Sequence, residues 1–476
     1  MTELLDKDQF LALLKERREG GDTSVGESRE KAYQYYNGEP LGNERKGRSQ
    51  HISMDVFESV ESIKPELIEV FTESNNVCHF KPIHSNDVEQ AEYRTKYVNR
   101  VFYDECEGEK VIYDAIHDGA LCKNAIVKVI WREEKTTEVK QFTRQPLQFL
   151  VQMERNPQVV DISVFNDDGV ILDESGLPVG STLFDGEITF EVDISKHEIT
   201  VIKPENFSCA EADDVKNSSY TGDESQYTKG ELKNLYPDFE DEIDDLSSSE
   251  DDLTFESQVR MGEDYGLFGD DEEGDREQVW LHEEYIEATL DDGGYKLWRA
   301  VSAGDVLLEL DEVDFHPYFS WTPYRLSHRW QGISEADVTF DIQKTNSSIK
   351  RGVVDNIHIG NSTRWQGNFK ALKNPREVLQ NKIGGFVDTG EAGAGTITPV
   401  PAPQLSSATG LGLEMMAGEK EHRTGSSRLA AGLNQEAYSK QNSADMIAAL
   451  TTNSNKRKML KARTFAWMLK DVLERV

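Results

Sequence analysis

The chain has 476 residues and carries 88 acidic against 52 basic side chains, a formal net charge of -36. That length exceeds the size at which one hydrophobic core stops growing, so two to four sub-regions are expected. No stretch approaches the roughly 18 apolar residues of a membrane helix, and the charged N-terminus has neither the apolar run nor the cleavage site of a signal peptide. From the N-terminus, residues 2–19 read as an amphipathic helix through Leu4, Leu5, Phe10, Leu11, Leu13 and Leu14. A hinge over Gly20–Gly26 is expected next, then a short helix through Tyr33, Tyr35 and Tyr36, and a loop over 37–49. From Ser53, Val56, Val60, Ile63, Leu67 and Val70 recur at helical spacing, with Pro65 expected to kink or divide that helix. Two more helices are predicted over Asp87–Tyr103 and Glu109–Leu121.

Ala125–Trp131 is β-branched and reads as a strand. Short alternating runs between 159 and 203, with turn signals at Asn166–Gly169, Asp173–Gly176 and Asp291–Gly294, predict antiparallel hairpins. Residues 238–277 interrupt them with 18 acids against two bases. That block reads as a solvated, mobile segment, and Asp270–Asp275 is a weak candidate for a hard cation without the ligand spacing of an EF-hand. Ser334 is a good N-cap, with Glu335 and Asp337 in the first turn, for a helix reaching about Ile359. A Gly/Pro/Thr-rich hairpin-and-loop module over 361–410 follows, then a short helix near Leu411–His422 and a polar stretch over Arg423–Asn442. The last helix starts near Ser443 and is still periodic at Phe465, Met468, Leu469, Val472 and Val476, as though cut in mid-helix.

Chemistry has little support. There is no GxxxxGK(S/T) loop, GxSxG elbow, HExxH pair or metal-spaced Cys/His cluster. Glu138-Val139-Lys140 resembles the end of some nuclease sites, but no upstream Asp accompanies it. Cys78, Cys106, Cys122 and Cys209 are far apart and read as reduced thiols of a cytosolic protein. No catalytic residue, metal or cofactor is expected. The charge, however, is polarised: residues 318–476 hold 21 bases against 14 acids. An acidic surface repels phosphate, so nucleic acid is expected to meet only this C-terminal third. Lys344, Lys350, Arg351, Arg423, Arg428, Lys440 and the run Lys456-Arg457-Lys458 are its basic elements. They read either as solvated helix faces or as contacts to a phosphate backbone without base readout.

Three stretches together resemble the portal (head-to-tail connector) proteins of short-tailed, podovirus-type bacteriophages. The first is Val25-Gly26-Glu27-Ser28-Arg29-Glu30-Lys31-Ala32-Tyr33-Gln34-Tyr35-Tyr36-Asn37-Gly38-Glu39-Pro40. It runs on through Gly42-Asn43-Glu44 and Gly47-Arg48-Ser49 into the helix with Val56, Val60-Glu61, Pro65-Glu66-Leu67 and Val70-Phe71. The second is Asp341-Ile342-Gln343-Lys344 with Lys350-Arg351 and Asp355-Asn356. The third joins Arg423-Thr424-Gly425 and Gly432-Leu433-Asn434 to Ala444, Arg463, Phe465 and Ala466.

The resemblance implies an α+β fold of portal architecture. Residues 1–333 correspond to a wing, helical and then β-rich, with the acidic insertion at about 238–277. Residues 334–360 correspond to the first stem helix, 361–405 to the clip, 406–424 to the second stem helix, 425–442 to the channel loop, and 443–476 to the long helix leading to the crown. It further implies a ring, usually of twelve subunits, at the capsid vertex of the virion, assembled in the host cytoplasm. Double-stranded viral DNA would enter and leave through its axial channel. Partners would be the terminase packaging motor, major capsid and scaffolding proteins, and tail adaptor proteins, with no membrane. Channel candidates are then Lys344, Lys350, Arg351, Arg423, Arg428 and Lys440, and clip or motor contacts Arg364, Trp365, Lys370, Lys373 and Arg376. The rival readings are a capsid-internal or tail adaptor protein and a metal-dependent enzyme acting on nucleic acid.

Overall fold

In a computed structural model, the structure describes residues 7–19, 23–73, 76–82, 84, 87–168, 183–247, 260, 274–290, 294–361, 364–368, 370, 374, 376, 397–401, 405–425 and 444–476. Helix makes up 50% of it and strand 26%, as an α+β chain should. It divides into two compact units. The larger comprises Met1–His79, Glu109–Val127 and Val201–Val472, and the smaller Phe80–Gly108, Lys128–Thr200 and Leu473–Val476.

The larger unit is built around an antiparallel five-stranded sheet in the order β10-β9-β8-β7-β6. These strands are β6 (Phe207–Cys209), β7 (Tyr220–Thr228), β8 (Gln278–Ala288), β9 (Lys296–Ala303) and β10 (Val306–Glu312). Alternation along the strands gives the sheet two buried faces. Ile286, Ala288, Ala300 and Leu307 meet Phe10 and Leu14 of helix α1 (Lys7–Glu19). Val279, Leu281, Val301, Ala303 and Leu308 meet Leu232 of α7 (Lys229–Leu235) and Ile243 of α8 (Glu240–Asp244). Arg18 of α1 also bonds the buried Glu284 of β8 at 2.8 Å, so α1 is fixed by charge as well as by its leucines.

The same unit holds α2 (Thr23–Asn37), α3 (Asp55–Thr72), α5 (Gly108–Cys122, all but its first residue), α9 (Glu335–Asn361), α10 (Ser407–Thr424) and α11 (Ala444–Leu473, all but its last residue). α2 begins inside the expected Gly20–Gly26 hinge and buries Ala32, Tyr33 and Tyr35. α3 buries Val56, Val60, Ile63 and Leu67 at the expected spacing. It runs unbroken through Pro65, which is exposed, so the carbonyl freed by the missing N–H can be hydrated. α10 starts earlier than its apolar pattern suggests, because Ser406 caps it through Ala408 N–H at 3.2 Å. It ends where Gly425 takes φ 75°, a conformation suited to glycine. β12 (Arg364–Gly367) and β13 (Ile397–Val400) pair antiparallel, as the expected hairpin module requires.

In the smaller unit, α4 (Val88–Arg100) continues into a π-helical turn over Val101–Glu105. Three antiparallel strands follow in the order β2-β4-β3: β2 (Lys135–Pro146), β3 (Val159–Asp168) and β4 (Leu183–Asp193). Asn166–Asp168, expected in a turn, still pair with Asp185, Phe184 and Leu183, and Gly169 lies outside the described residues. A Cβ at Gly186 would come within 2.1 Å of the Ser163 carbonyl, so only glycine lets the two strands approach there. Glu138, Val139 and Lys140 are exposed on β2, and Glu138 pairs with Lys140 at 3.1 Å.

The acidic block departs from the sequence expectation of a solvated, mobile segment. Its start is folded: Ile243 is fully buried against Leu232 and Leu308, while its acidic neighbours face solvent. An apolar residue flanked by carboxylates lets a strongly charged segment still enter a core. Asp270–Glu273 lie outside the described residues. Arg260 within the block is inserted between buried carboxyl groups, 2.9 Å from Glu205 and 3.8 Å from Asp118, over the Tyr33 ring at 5.1 Å. Burial pushes Asp118 up to about 7, helped by Glu205 and Asp114 and opposed by Arg260.

Two outcomes are expected. Ile243→Ala should lower unfolding stability by about 2–5 kcal/mol in urea titration, and the exposed Glu242→Ala by less than about 0.5 kcal/mol. Asp118 ionises at about 4 in an unfolded chain and at about 7 when folded, so the folded state binds the extra proton. Its contribution to unfolding free energy therefore falls between those pH values, by about 1.4 kcal/mol per unit at the steepest. The stability of Asp118→Asn relative to wild type should rise from about pH 4 to about pH 7 and stay level above, as read by denaturant unfolding across that range.

Candidate nucleic-acid interface

α9 opens with a reciprocal cap: Asp337 N–H donates to Ser334 Oγ at 3.0 Å, and Ser334 N–H to Asp337 Oδ2 at 2.9 Å. Its buried face is polar. Glu335, Thr339, Gln343, Ser347 and Arg351 recur every four residues, and each is at most 7% exposed. A polar stripe can be buried only if its groups find partners. Gln343 accepts from Val56 N–H and donates to the Tyr35 carbonyl, both at 2.8 Å. Ser347 Oγ accepts from Ser53 N–H at 2.9 Å and donates to the Gln343 carbonyl at 2.7 Å. Thr339 donates to the Glu335 carbonyl at 2.9 Å. Arg351 donates to Glu44 and Asn43, each at 2.7 Å.

The remaining member, Glu335, accepts from Lys461 of α11 and from Tyr324 OH. Both ends of this ion pair are buried, at 1% and 4% side-chain exposure. Burial raises the Glu335 carboxyl and lowers the Lys461 ammonium, each opposed by its partner. Lys458, equally buried, pairs with Glu66 of α3. Trp321 and Phe71 pack on Phe465.

α9 and α10 run antiparallel, with Gly412 beside Ile349 at one end and Arg423 beside Asp341 at the other. Arg423 donates to Asp341 at 2.6 Å, to Glu419 and to the Val338 carbonyl. The bond from Arg423 holds Asp341 below the usual carboxylate range. Lys420 reaches Asp55 at 3.2 Å and Glu58 at 2.5 Å. Burial alone would raise Asp55, but bonds from Ser53, Asn346 and Lys420 outweigh it and hold the carboxyl low.

The expected channel residues therefore stand in different surroundings. Lys344 is exposed on α9 and pairs with no described carboxylate. Lys350 donates to Ser53 Oγ at 2.7 Å. Arg351 is buried in its bond to Glu44, and Arg423 is shared between two carboxylates. Arg428 and Lys440 lie outside the described residues. Among the clip candidates, Lys370 and Arg376 are exposed. Arg364 and Trp365 sit on β12 opposite Val400 and Pro399, and Lys373 lies outside the described residues. Among the described residues, no three His, Cys, Asp or Glu side chains cluster closely enough to hold a metal ion. No described helix is long and apolar enough to cross a membrane.

Sequence reasoning missed the role of Lys458, which read as part of the basic run Lys456-Arg457-Lys458, and did not single out Lys461. The signal was there: both share a helical face with Ala462, Phe465, Met468, Leu469 and Val472, all buried. A cation on an apolar face needs a buried partner. The four-residue recurrence of small or amide side chains on α9 was a second such signal.

The family model described as Phage SU10 portal protein matches the chain over residues 12–476. No curated protein matches it.

The Glu335–Lys461 pair yields a direct test. Lys461→Met alone should cost about 3–5 kcal/mol by leaving a buried carboxylate unpaired. Adding Glu335→Gln should recover most of that loss, as measured by a double-mutant cycle in urea.

Proposed function

The chain belongs to the phage portal protein family, a family of structural virion proteins, and from this we propose that its copies form a ring through which viral DNA is packaged and ejected. The single observation carrying this reading is the family match across nearly the whole chain. The ring, of about twelve subunits closed by head-to-tail contacts, sits at the capsid vertex. The chain itself carries out no catalysis; ATP-driven force comes from the terminase motor.

The antiparallel α9 and α10 are the two stem helices, and residues 361–405 between them form the clip that meets the motor and later the tail adaptor. The 425–442 stretch is the channel loop, and α11 leads toward the crown. Residues 1–333 form the wing, which meets major capsid and scaffolding proteins. The rigid polar docking of α9 supports this assignment, because a stem must hold its register while DNA moves past it.

The electrostatics support sliding over tight binding. Lys350, Arg351 and Arg423 are candidate channel residues whose bonding within the chain restrains them. Arg351 and Arg423, already shared with carboxylates, release fewer counterions on meeting DNA, so each adds little affinity. Lys344 is the channel candidate best placed to guide phosphate, repeated once per subunit. Arg428 and Lys440 on the channel loop complete the channel set, and Arg364, Trp365, Lys370, Lys373 and Arg376 are proposed to contact the motor.

Electron microscopy of the purified protein tests the reading: rings with a central hole are expected, and a monomer or dimer at all salt and protein concentrations would refute it. Lys344→Glu should leave thermal stability and assembly unchanged. It should also flatten the salt dependence of DNA binding by about one unit of log-log slope for each phosphate the side chain no longer neutralises and slow packaging in vitro. Unchanged packaging and an unchanged salt slope would take Lys344 off the DNA path.

A further inference from the structure

α11 is amphipathic twice over. Lys458, Lys461, Ala462, Phe465, Met468, Leu469 and Val472 fill one side and are buried. At about 100° per residue, Lys456, Met459, Leu460, Arg463, Trp467 and Lys470 fall within an arc of about 120° on the other side, and all are exposed. Met459 is 48%, Leu460 59% and Trp467 56% exposed, and between Lys456 and Lys470 the helix carries no acidic residue. A large aromatic, a Met and an Arg on a rigid helix are the residue types that mark a protein interface. A phosphate backbone would use the three bases but leave Leu460 and Trp467 wet.

The complement lies in the folded start of the acidic block. Leu235, at the end of α7, is 58% exposed. Asp238, Glu240, Asp241, Glu242 and Asp245 beside it all face solvent while Ile243 anchors their helix inward. One patch is apolar with three bases, the other apolar with five acids. Two different, complementary patches on one chain are what a head-to-tail contact between identical copies requires.

We propose that the exposed stripe of α11 docks on the α7–α8 surface of a second copy of this chain. The inference rests on the ring reading above and adds to it the two faces that meet. The acidic insertion thereby acquires a role in assembly, supplying the carboxylates that receive Arg463 from the neighbour.

The test uses the full chain, with assembly followed by sedimentation velocity, folding by far-ultraviolet circular dichroism and duplex DNA binding by fluorescence anisotropy. Leu460→Ser with Trp467→Ser should raise the concentration needed for assembly by at least about thirty-fold while the melting curve stays in place. Arg463→Glu should weaken assembly, and adding Asp241→Arg with Glu242→Arg should restore it. If wild type assembles and the Ser variant assembles equally well, the stripe is not the interface. Intact assembly with DNA binding abolished would assign the stripe to phosphate and overturn the proposal. If Arg463→Glu weakens assembly but the charge swap restores nothing, α7–α8 is not the receiving face. A wild type that never assembles would remove the ring reading itself.

Discussion

One helix sets the terms for the larger unit. α9 is held by a row of polar side chains spaced every four residues, Glu335, Thr339, Gln343, Ser347 and Arg351, each bonded within its surroundings. Apolar packing tolerates a shift of position at modest cost, whereas a row of directional bonds does not. Sliding α9 by one residue would break the bonds that Glu335, Gln343, Ser347 and Arg351 make to other elements, and each unsatisfied buried group costs about 1–3 kcal/mol. α3, the loop before it and α11 are therefore fixed to α9 by hydrogen-bond geometry as much as by the hydrophobic effect. The Gly-containing, polar loop of residues 38–50 reaches these partners: Glu44 and Asn43 take Arg351, and Ser49 N–H donates to Asp355 at 2.7 Å.

The same network changes the meaning of the basic C-terminal third. Counted as formal charge, it promises phosphate binding. Much of that charge is consumed within the chain: Lys461 by Glu335, Lys458 by Glu66, Lys420 by Asp55 and Glu58, Arg351 by Glu44, and Arg423 by Asp341 and Glu419. The buried pairs among them, Lys461–Glu335 and Arg351–Glu44, act mainly as register marks, since a buried ion pair contributes little net stability against an apolar substitute yet is costly to break. For a portal, this is a sensible allocation. The DNA channel proposed above would need a stiff wall that does not hold DNA.

The acidic block shows the opposite allocation. Most of its described carboxylates face water, but single residues within it are used for attachment: Ile243 enters the core beneath the sheet, and Arg260 is inserted against Asp118 and Glu205. A segment can be strongly charged in composition and still be anchored, because anchoring takes only one residue of the right kind at the right place.

Much was legible in the sequence because it depends on local periodicity and on caps. The apolar spacing of α3 and α11, the Ser334 cap of α9, the β-branched run of β1 (Ala125–Arg132) and the hairpin pairings all follow from chain-local rules, and the Gly, Asn and Arg placements pointed to the portal family. Pro65 does not divide α3, since a proline inside a helix removes one bond without ending it. The fate of each charge was not legible at all. Arg351 and Lys344 look alike on a helical wheel of polar residues, yet one is buried against Glu44 and the other is exposed. Residue order alone is enough to say which segments become helix or strand and which family they belong to, since these depend on neighbours along the chain. Which cations are spent and which face outward is settled only on folding, because the carboxylates that claim them lie up to 392 residues away.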